Sequence, residues 1–164
     1  DSFLFSTKLK DNISLFKDDY DDNEIETSTK KAVIYDEIYN MPNNIETVIG
    51  ERGIDLSGGQ KQRISISRAF LKQSSIVIFD DTFSALDNKT EETLIKNIIE
   101  LTKDKSCIII SNRISDIKHS NKIIVLENGK IVEKGTHEEL INKGKKYYEY
   151  YKQQATQNID SILS

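Results

Sequence analysis

The sequence predicts an α/β fold, and three observations predict it. Two short, unbroken apolar runs, Ile76-Val77-Ile78-Phe79 and Cys107-Ile108-Ile109-Ile110, read as strands covered on both faces, as in a parallel sheet. Between them Leu94, Ile95, Ile98 and Ile99 recur at helical spacing on one face. Upstream, Ser57-Gly58-Gly59-Gln60 opens a further helix that buries Ile64, Ile66, Ala69, Phe70 and Leu71.

The bulk properties narrow the function. A length of 164 residues is enough for one domain with a real core. Charged residues make up 30% and the net charge is -4, so no basic footprint argues for a nucleic-acid partner. Cys107 is the one cysteine, which excludes a disulfide framework and points to a reducing compartment. The apolar runs are far too short to span a bilayer, and no stretch reads as a signal peptide. The opening Asp1-Ser2-Phe3-Leu4-Phe5-Ser6 is apolar and lacks an initiator Met, so the expectation is the middle of a longer polypeptide.

Residues 1–10 read as extended, followed by a short helix through Asn12, Ile13, Leu15 and Phe16. Lys17-Asp18-Asp19-Tyr20-Asp21-Asp22 is a solvated loop with an aspartate placed to cap the next helix. Ile25, Ala32, Val33, Ile34 and Ile38 form a loose stripe over residues 23–41, read as two short helices that Pro42-Asn43-Asn44 ends. Asn88 and Glu91 have the spacing of a capping box for the helix after the first strand. Beyond the second strand a short helix precedes strands 122–126 and 130–133, whose connection Glu127-Asn128-Gly129 signals a hairpin. Helices over 136–142 and 145–154 close the domain, and the polar residues 155–164 read as a frayed tail.

The chemistry concentrates at Leu56-Ser57-Gly58-Gly59-Gln60. Two adjacent glycines leave no side chain between the first backbone N–H groups of a helix and whatever docks there. The Ser57 hydroxyl points at the same spot, and the helix macrodipole adds partial positive charge, so the spot suits a phosphate. The plain alternative is a Gly-Gly turn before an amphipathic helix. Lys61 and Arg63 after the string, and an acid-tipped strand further on, weigh against it.

Taken together and in order, these strings resemble the nucleotide-binding domain of ATP-binding-cassette (ABC) exporters, from just after the Q-loop to the C-terminal helices. Leu56-Ser57-Gly58-Gly59-Gln60 resembles the signature motif, and Glu46-Thr47-Val48-Ile49-Gly50-Glu51-Arg52-Gly53 the exporter-specific X-loop. Ile76-Val77-Ile78-Phe79-Asp80 resembles Walker B, and Ser84-Ala85-Leu86-Asp87 the D-loop. Ile110-Ser111-Asn112-Arg113 sits where the H-loop belongs, and Gly135-Thr136-His137-Glu138-Glu139-Leu140 is similar to the family's ending. The resemblance implies a partial P-loop NTPase (RecA-like) core with a helical subdomain. Its parts are a post-Q-loop segment over 1–10, the helical subdomain over 11–72, the second half of the core over 73–154, and a tail over 155–164.

It also implies ATP and Mg²⁺ as cofactors, with Asp80 holding the metal through water. A carboxylate at the end of a buried strand needs a cation or donors, which agrees. Asp87 reads either as an N-cap or, by resemblance, as a D-loop residue crossing a dimer interface. Two positions depart from the family. Where it has a glutamate base, this chain has Asp81, and a retreat of roughly 1 Å costs on the order of a hundredfold. Where it has a switch histidine, this chain has Asn112, a neutral amide that forfeits a charge-assisted hydrogen bond. His119 and His137 read as helix-end or packing residues. No GxxxxGK[ST] loop occurs in the sequence, so the chain alone is expected to lack a phosphate cradle and to be inactive.

The expected function is ATP hydrolysis powering an exporter at the cytoplasmic face of a membrane, by head-to-tail pairing with a second nucleotide-binding domain, identical or different. In such pairs Ser57, Gly58, Gly59 and Gln60 complete the partner's ATP site. Residues 46–53 meet the transmembrane domains. An intact signature beside altered Asp81 and Asn112 is the division found in heterodimeric exporters with one degenerate site. The rival readings are a soluble ABC ATPase of DNA repair or translation, which the X-loop-like string disfavours, and a split cassette acting only as a dimerisation or regulatory module.

Overall fold

The structure, a computed structural model, describes residues 3–17, 19–50, 53–72 and 74–163, with 157–163 as backbone. It divides into two compact units, residues 1–108 and 109–164.

The first unit runs α1 (Leu9–Ser14), α2 (Asp22–Lys31), α3 (Tyr35–Tyr39), a 3₁₀ turn (Asn44–Glu46), α4 (Gly58–Leu71), β1 (Ile76–Asp80), α5 (Asn88–Leu101) and the start of β2 (Ser106–Ile110). Asp21 caps α2 as expected: the Glu24 N–H donates to its carboxylate at 2.8 Å, and the Glu24 carboxylate accepts the Asp21 N–H at 3.0 Å. Leu9, Ile13, Ile25, Ile38, Ile64 and Ile66 are buried, and α1 and α2 both pack on α4. In the stripe of α4, Ser67 takes the fully buried place expected of Ala69, satisfying its hydroxyl on the Ile64 carbonyl at 2.6 Å.

Two expectations are corrected in this unit, the two-sided cover of the strands and the burial of Ile99. β1 pairs with β2, yet only one face of these strands is covered. Val77 and Phe79 are buried, whereas Ile76, Ile78, Ile108 and Ile110 are 49 to 61% exposed. The pleat sends alternate side chains to opposite faces, and among the described residues nothing covers the second one. Of the two caps read for α5, Asp87 and Asn88, the structure uses Asp87, because the backbone is still extended at 87 and already helical at 88. Ile99 is exposed, so the buried stripe of α5 is Leu94, Ile95 and Ile98. The boundary between the two compact units falls inside β2. The Gln62 side chain donates to Ser84 Oγ at 3.1 Å and accepts the Ala85 N–H at 3.1 Å, and Asn97 donates to the Lys31 carbonyl at 2.7 Å. These bonds tie the segment after 73 to the helices before it.

The second unit holds α6 (Ile114–Ile117), β3 (Ile123–Glu127), β4 (Lys130–Gly135), α7 (His137–Lys143) and α8 (Lys146–Leu163). β3 and β4 form the expected antiparallel hairpin, with Glu127 opposite Lys130 and a bulge between Val125 and Leu126. Asn128 and Gly129 both take positive φ, 49° and 74°, which the tight two-residue turn requires. Ile114, Ile123, Val125, Leu140 and Tyr147 form the core. The tail expected over 155–164 is corrected, since α8 continues to Leu163. Gln153, Gln154 and Ala155 are good helix formers and no Pro or Gly interrupts them. Among the described residues no helix is long and apolar enough to cross a membrane.

Candidate nucleotide site

Ser57 has extended backbone and caps α4. Its hydroxyl oxygen accepts the Gln60 N–H at 3.2 Å, and Gln60 Oε1 accepts the Ser57 N–H at 2.8 Å, closing a capping box. Among the described residues the Ser57 hydroxyl accepts the Gln60 N–H and donates to no protein acceptor. The N–H groups of Gly58 and Gly59 lie in the first turn, where an α-helix offers no internal partner. Ser57 and Gly58 are exposed, so the helix end faces solvent with its positive dipole end bare. At Gly59 the contact is tight: a Cβ there would lie 3.0 Å from the Ala85 carbonyl oxygen and 3.6 Å from Leu86 Cδ2. The start of α4 and the segment Ser84-Ala85-Leu86 are thereby brought together, with Gln62 bonding across the same gap.

Behind the helix end stands a residue that the sequence reading missed. Gln60 Nε2 donates to Glu37 Oε2 at 2.8 Å, and Arg63 Nη1 donates to Glu37 Oε1 at 2.5 Å. No local pattern announces Glu37, which lies on α3 and meets α4 only through the fold. The capping box itself was legible as Ser-x-x-Gln. A second unforeseen feature is an exposed aromatic cluster in which Phe5 meets Phe3 and Phe16 edge to face, at 4.9 and 5.1 Å. Buried Asn12 holds it by accepting the Phe5 N–H at 2.8 Å and donating to the Phe5 carbonyl at 3.0 Å.

At the end of β1, Asp80 and Asp81 are both exposed. The burial argument for Asp80 is therefore corrected: it sits on the uncovered side of the strand and carries no desolvation penalty that a cation must relieve. Among the described residues no group of three His, Cys, Asp or Glu could hold a metal ion. A single open carboxylate fits a Mg²⁺ that keeps its waters and binds phosphate oxygens, and does not fit an all-protein cage. Asp81 has φ of 45°, a left-handed conformation that Asp tolerates better than most residues. Thr82 Oγ1 donates to the Asp80 carbonyl and Ser84 Oγ to the Asp81 carbonyl, at 3.2 and 3.3 Å. Asp87 accepts the N–H groups of Lys89 and Thr90 at 3.1 and 3.0 Å. Hydrogen bonds from Thr90, side chain first and backbone second, hold its carboxyl below the usual range.

Asn112 belongs to the second unit, exposed and just after β2. Its carbonyl accepts from Gln154 Nε2 at 2.7 Å, while Gln154 Oε1 accepts the Ile114 N–H at 2.9 Å, so α8 anchors the loop. His119 is exposed, and His137 opens α7 with Nδ1 2.9 Å from the Tyr147 hydroxyl and its ring against Tyr151. Burial, with a smaller contribution from Tyr151, pushes the Tyr147 hydroxyl up to about 12. Cys107 is half-buried, which raises its thiol. In the 46–53 loop, Glu46 pairs with Lys8 at 2.7 Å, and the Ile49 N–H donates to the Thr7 carbonyl at 3.0 Å, leaving Val48 exposed. Glu51 and Arg52 of that loop lie outside the described residues.

Comparison with known proteins matches residues 2–84 to the family described as ABC transporter. Over 94% of its length the chain is 43% identical to a probable multidrug resistance ABC transporter ATP-binding/permease protein of Bacillus subtilis (strain 168), of which it covers 26%. It is 45% identical, over 92% of its length and 26% of the relative, to a putative multidrug export ATP-binding/permease protein of Staphylococcus aureus (strain NCTC 8325 / PS 47). A solved structure of a bacterial Atm1-family ABC exporter with ATP bound superposes with a TM-score of 0.89 at 36% identity, covering 94% of this chain and 27% of that one. The chain thus spans about a quarter of the length of the relatives it matches.

Proposed function

The chain belongs to the ABC transporter family and has the nucleotide-binding fold of its exporters, and from that premise we propose that, as part of a longer protein, it serves ATP binding and hydrolysis that drive export across a membrane. The observation that carries this reading is the exposed start of α4, capped through Ser57 and Gln60 and open at Gly58 and Gly59. Preorganised donors at a helix N-terminus suit the terminal phosphate of ATP. In this reading they act on ATP held by a second nucleotide-binding domain, paired head to tail. The phosphate cradle comes from sequence other than these residues, which contain no GxxxxGK[ST] loop, and the chain alone is inactive.

Asp80 would hold Mg²⁺ through water, and the metal would supply charge to offset that of the phosphates. Slow turnover is inferred from Asp81, whose carboxylate is one methylene short of a glutamate's, and independently from Asn112, whose side chain lacks a charge. The 46–53 loop, with Val48 exposed, faces the transmembrane domains at the cytoplasmic side of the membrane.

ATP turnover by the full-length protein with its natural partner tests the assignment. Ser57→Ala removes a preorganised donor and is expected to lower turnover on the order of a hundredfold. Asp81→Asn is expected to be mild. If Asp81→Asn instead abolishes turnover, Asp81 is a working base and the slow-site assignment is wrong. If Ser57→Ala is harmless, the signature assignment is wrong.

A further inference from the structure

We propose that Glu37 is a positioning residue for the phosphate-facing end of α4, fixing Ser57 through Gln60; the inference rests on the reading that Ser57 serves bound ATP. Glu37 divides its two oxygens. Oε2 accepts from Gln60 Nε2 at 2.8 Å, and Oε1 accepts from Arg63 Nη1 at 2.5 Å. An amide whose nitrogen faces a carboxylate must turn its oxygen the other way. That oxygen, Gln60 Oε1, accepts the Ser57 N–H at 2.8 Å. Turned over, the amide would set its NH₂ against the Ser57 N–H, donor to donor, and the reciprocal cap would fail. The carboxylate therefore selects the amide orientation that the cap needs.

Glu37 is itself held. Arg63 has a side chain only 13% exposed, so its charge needs a close partner, and it also donates to the Val33 carbonyl at 2.7 Å and the Gly59 carbonyl at 3.2 Å. Val33 stands between α2 and α3 with φ of 56°, an uncommon conformation for a β-branched residue. Arg63 thus grips the α2–α3 corner and the carboxylate together. The relay runs from Arg63 to Glu37 to Gln60 to Ser57, and Glu37 acts on ATP only through it.

Glu37→Gln keeps the shape and removes one acceptor, so either Arg63 or Gln60 then faces an NH₂ group. In the full-length protein with its natural partner, we expect Glu37→Gln to lower kcat about tenfold and leave the KM for ATP within about twofold. Amide exchange is expected to quicken in residues 56–60 and stay unchanged in residues 64–71. Gln60→Ala breaks the same relay without touching the Glu37–Arg63 pair, so the double variant should be no slower than the slower single one. That variant also carries the test if Glu37→Gln does not fold, since quickened exchange at 56–60 must then appear in Gln60→Ala. Wild-type kcat in Glu37→Gln beside a severe Ser57→Ala overturns the role of Glu37 alone, as do additive effects of Glu37→Gln and Gln60→Ala. A harmless Ser57→Ala overturns the parent reading, and this one with it.

Discussion

The start of α4 and the end of β1 lie in one compact unit and carry the two kinds of chemistry proposed for it, yet they are built differently. At the start of α4 the polar side chains named above answer one another: Ser57 and Gln60 cap each other, Glu37 orients Gln60, Arg63 holds Glu37, and Gln62 reaches across to Ser84 and Ala85. At the end of β1 the Asp80 and Asp81 carboxylates stand in solvent, and the bonds from Thr82 and Ser84 go to backbone carbonyls. A site made of dipoles has to be fixed in advance, because its strength comes from not reorganising when charge arrives. A carboxylate that receives a hydrated cation can wait exposed, since the cation brings its own ligands.

The contrast breaks most sharply at Gly59. A Cβ at this position already sits 3.0 Å from a backbone oxygen, so the branched side chain of Gly59→Val must push Ala85 away from α4. A displacement near 1 Å at a preorganised site lowers rate on the order of a hundredfold, and ATP turnover by the full-length protein is expected to fall by that much. Turnover near wild type would show that the Ala85 contact does not set the site's geometry.

Asp81→Glu sharpens the other side of the comparison. It restores the missing methylene, and turnover is expected to rise up to about tenfold. Thermal stability should fall slightly, because Glu is less at ease than Asp at φ of 45°. A turnover no faster than wild type would mean that carboxylate reach does not limit the reaction.

The same contrast explains what was legible in the sequence. Ser57-Gly58-Gly59-Gln60 was legible as a helix start because a helix N-terminus is a local object: cap, glycines and dipole all lie within one turn. Asp21 as the cap of α2 and Asn128-Gly129 as a hairpin turn were local in the same way. Glu37 was not legible, since its value depends on α3 lying beside α4, and nothing near it in the chain says so. The apolar run of β1 misled because hydrophobicity says which side chains avoid water and does not say what covers them. Ile76 and Ile78 read like Val77 and Phe79, and only the fold separates them. The α5 cap stayed open between Asp87 and Asn88 because both are good caps, and the turn before them decides which remains extended. The placement of Asn112 is a question of the second unit, where Gln154 of a distant helix holds its loop.

Asp87 supplies the smallest effect, and one that separates structure from catalysis at the segment both regions touch. Its folded carboxyl lies below the ordinary 3.8 because Thr90 and the first N–H groups of α5 bond to the charged form. A depressed folded value means that the unfolded chain takes up the proton first as the pH falls. The stabilisation is therefore complete above the unfolded value and is lost as the pH drops through the lower folded one. Asp87→Asn keeps a good N-cap and has nothing to titrate. The thermal midpoint of the wild-type protein, followed from about pH 6 to about pH 3, should thus decline a little more steeply than that of Asp87→Asn at the acid end. Parallel curves would remove the cap as the source of the shift, and would leave an interface role for Asp87 as the better account of its charge.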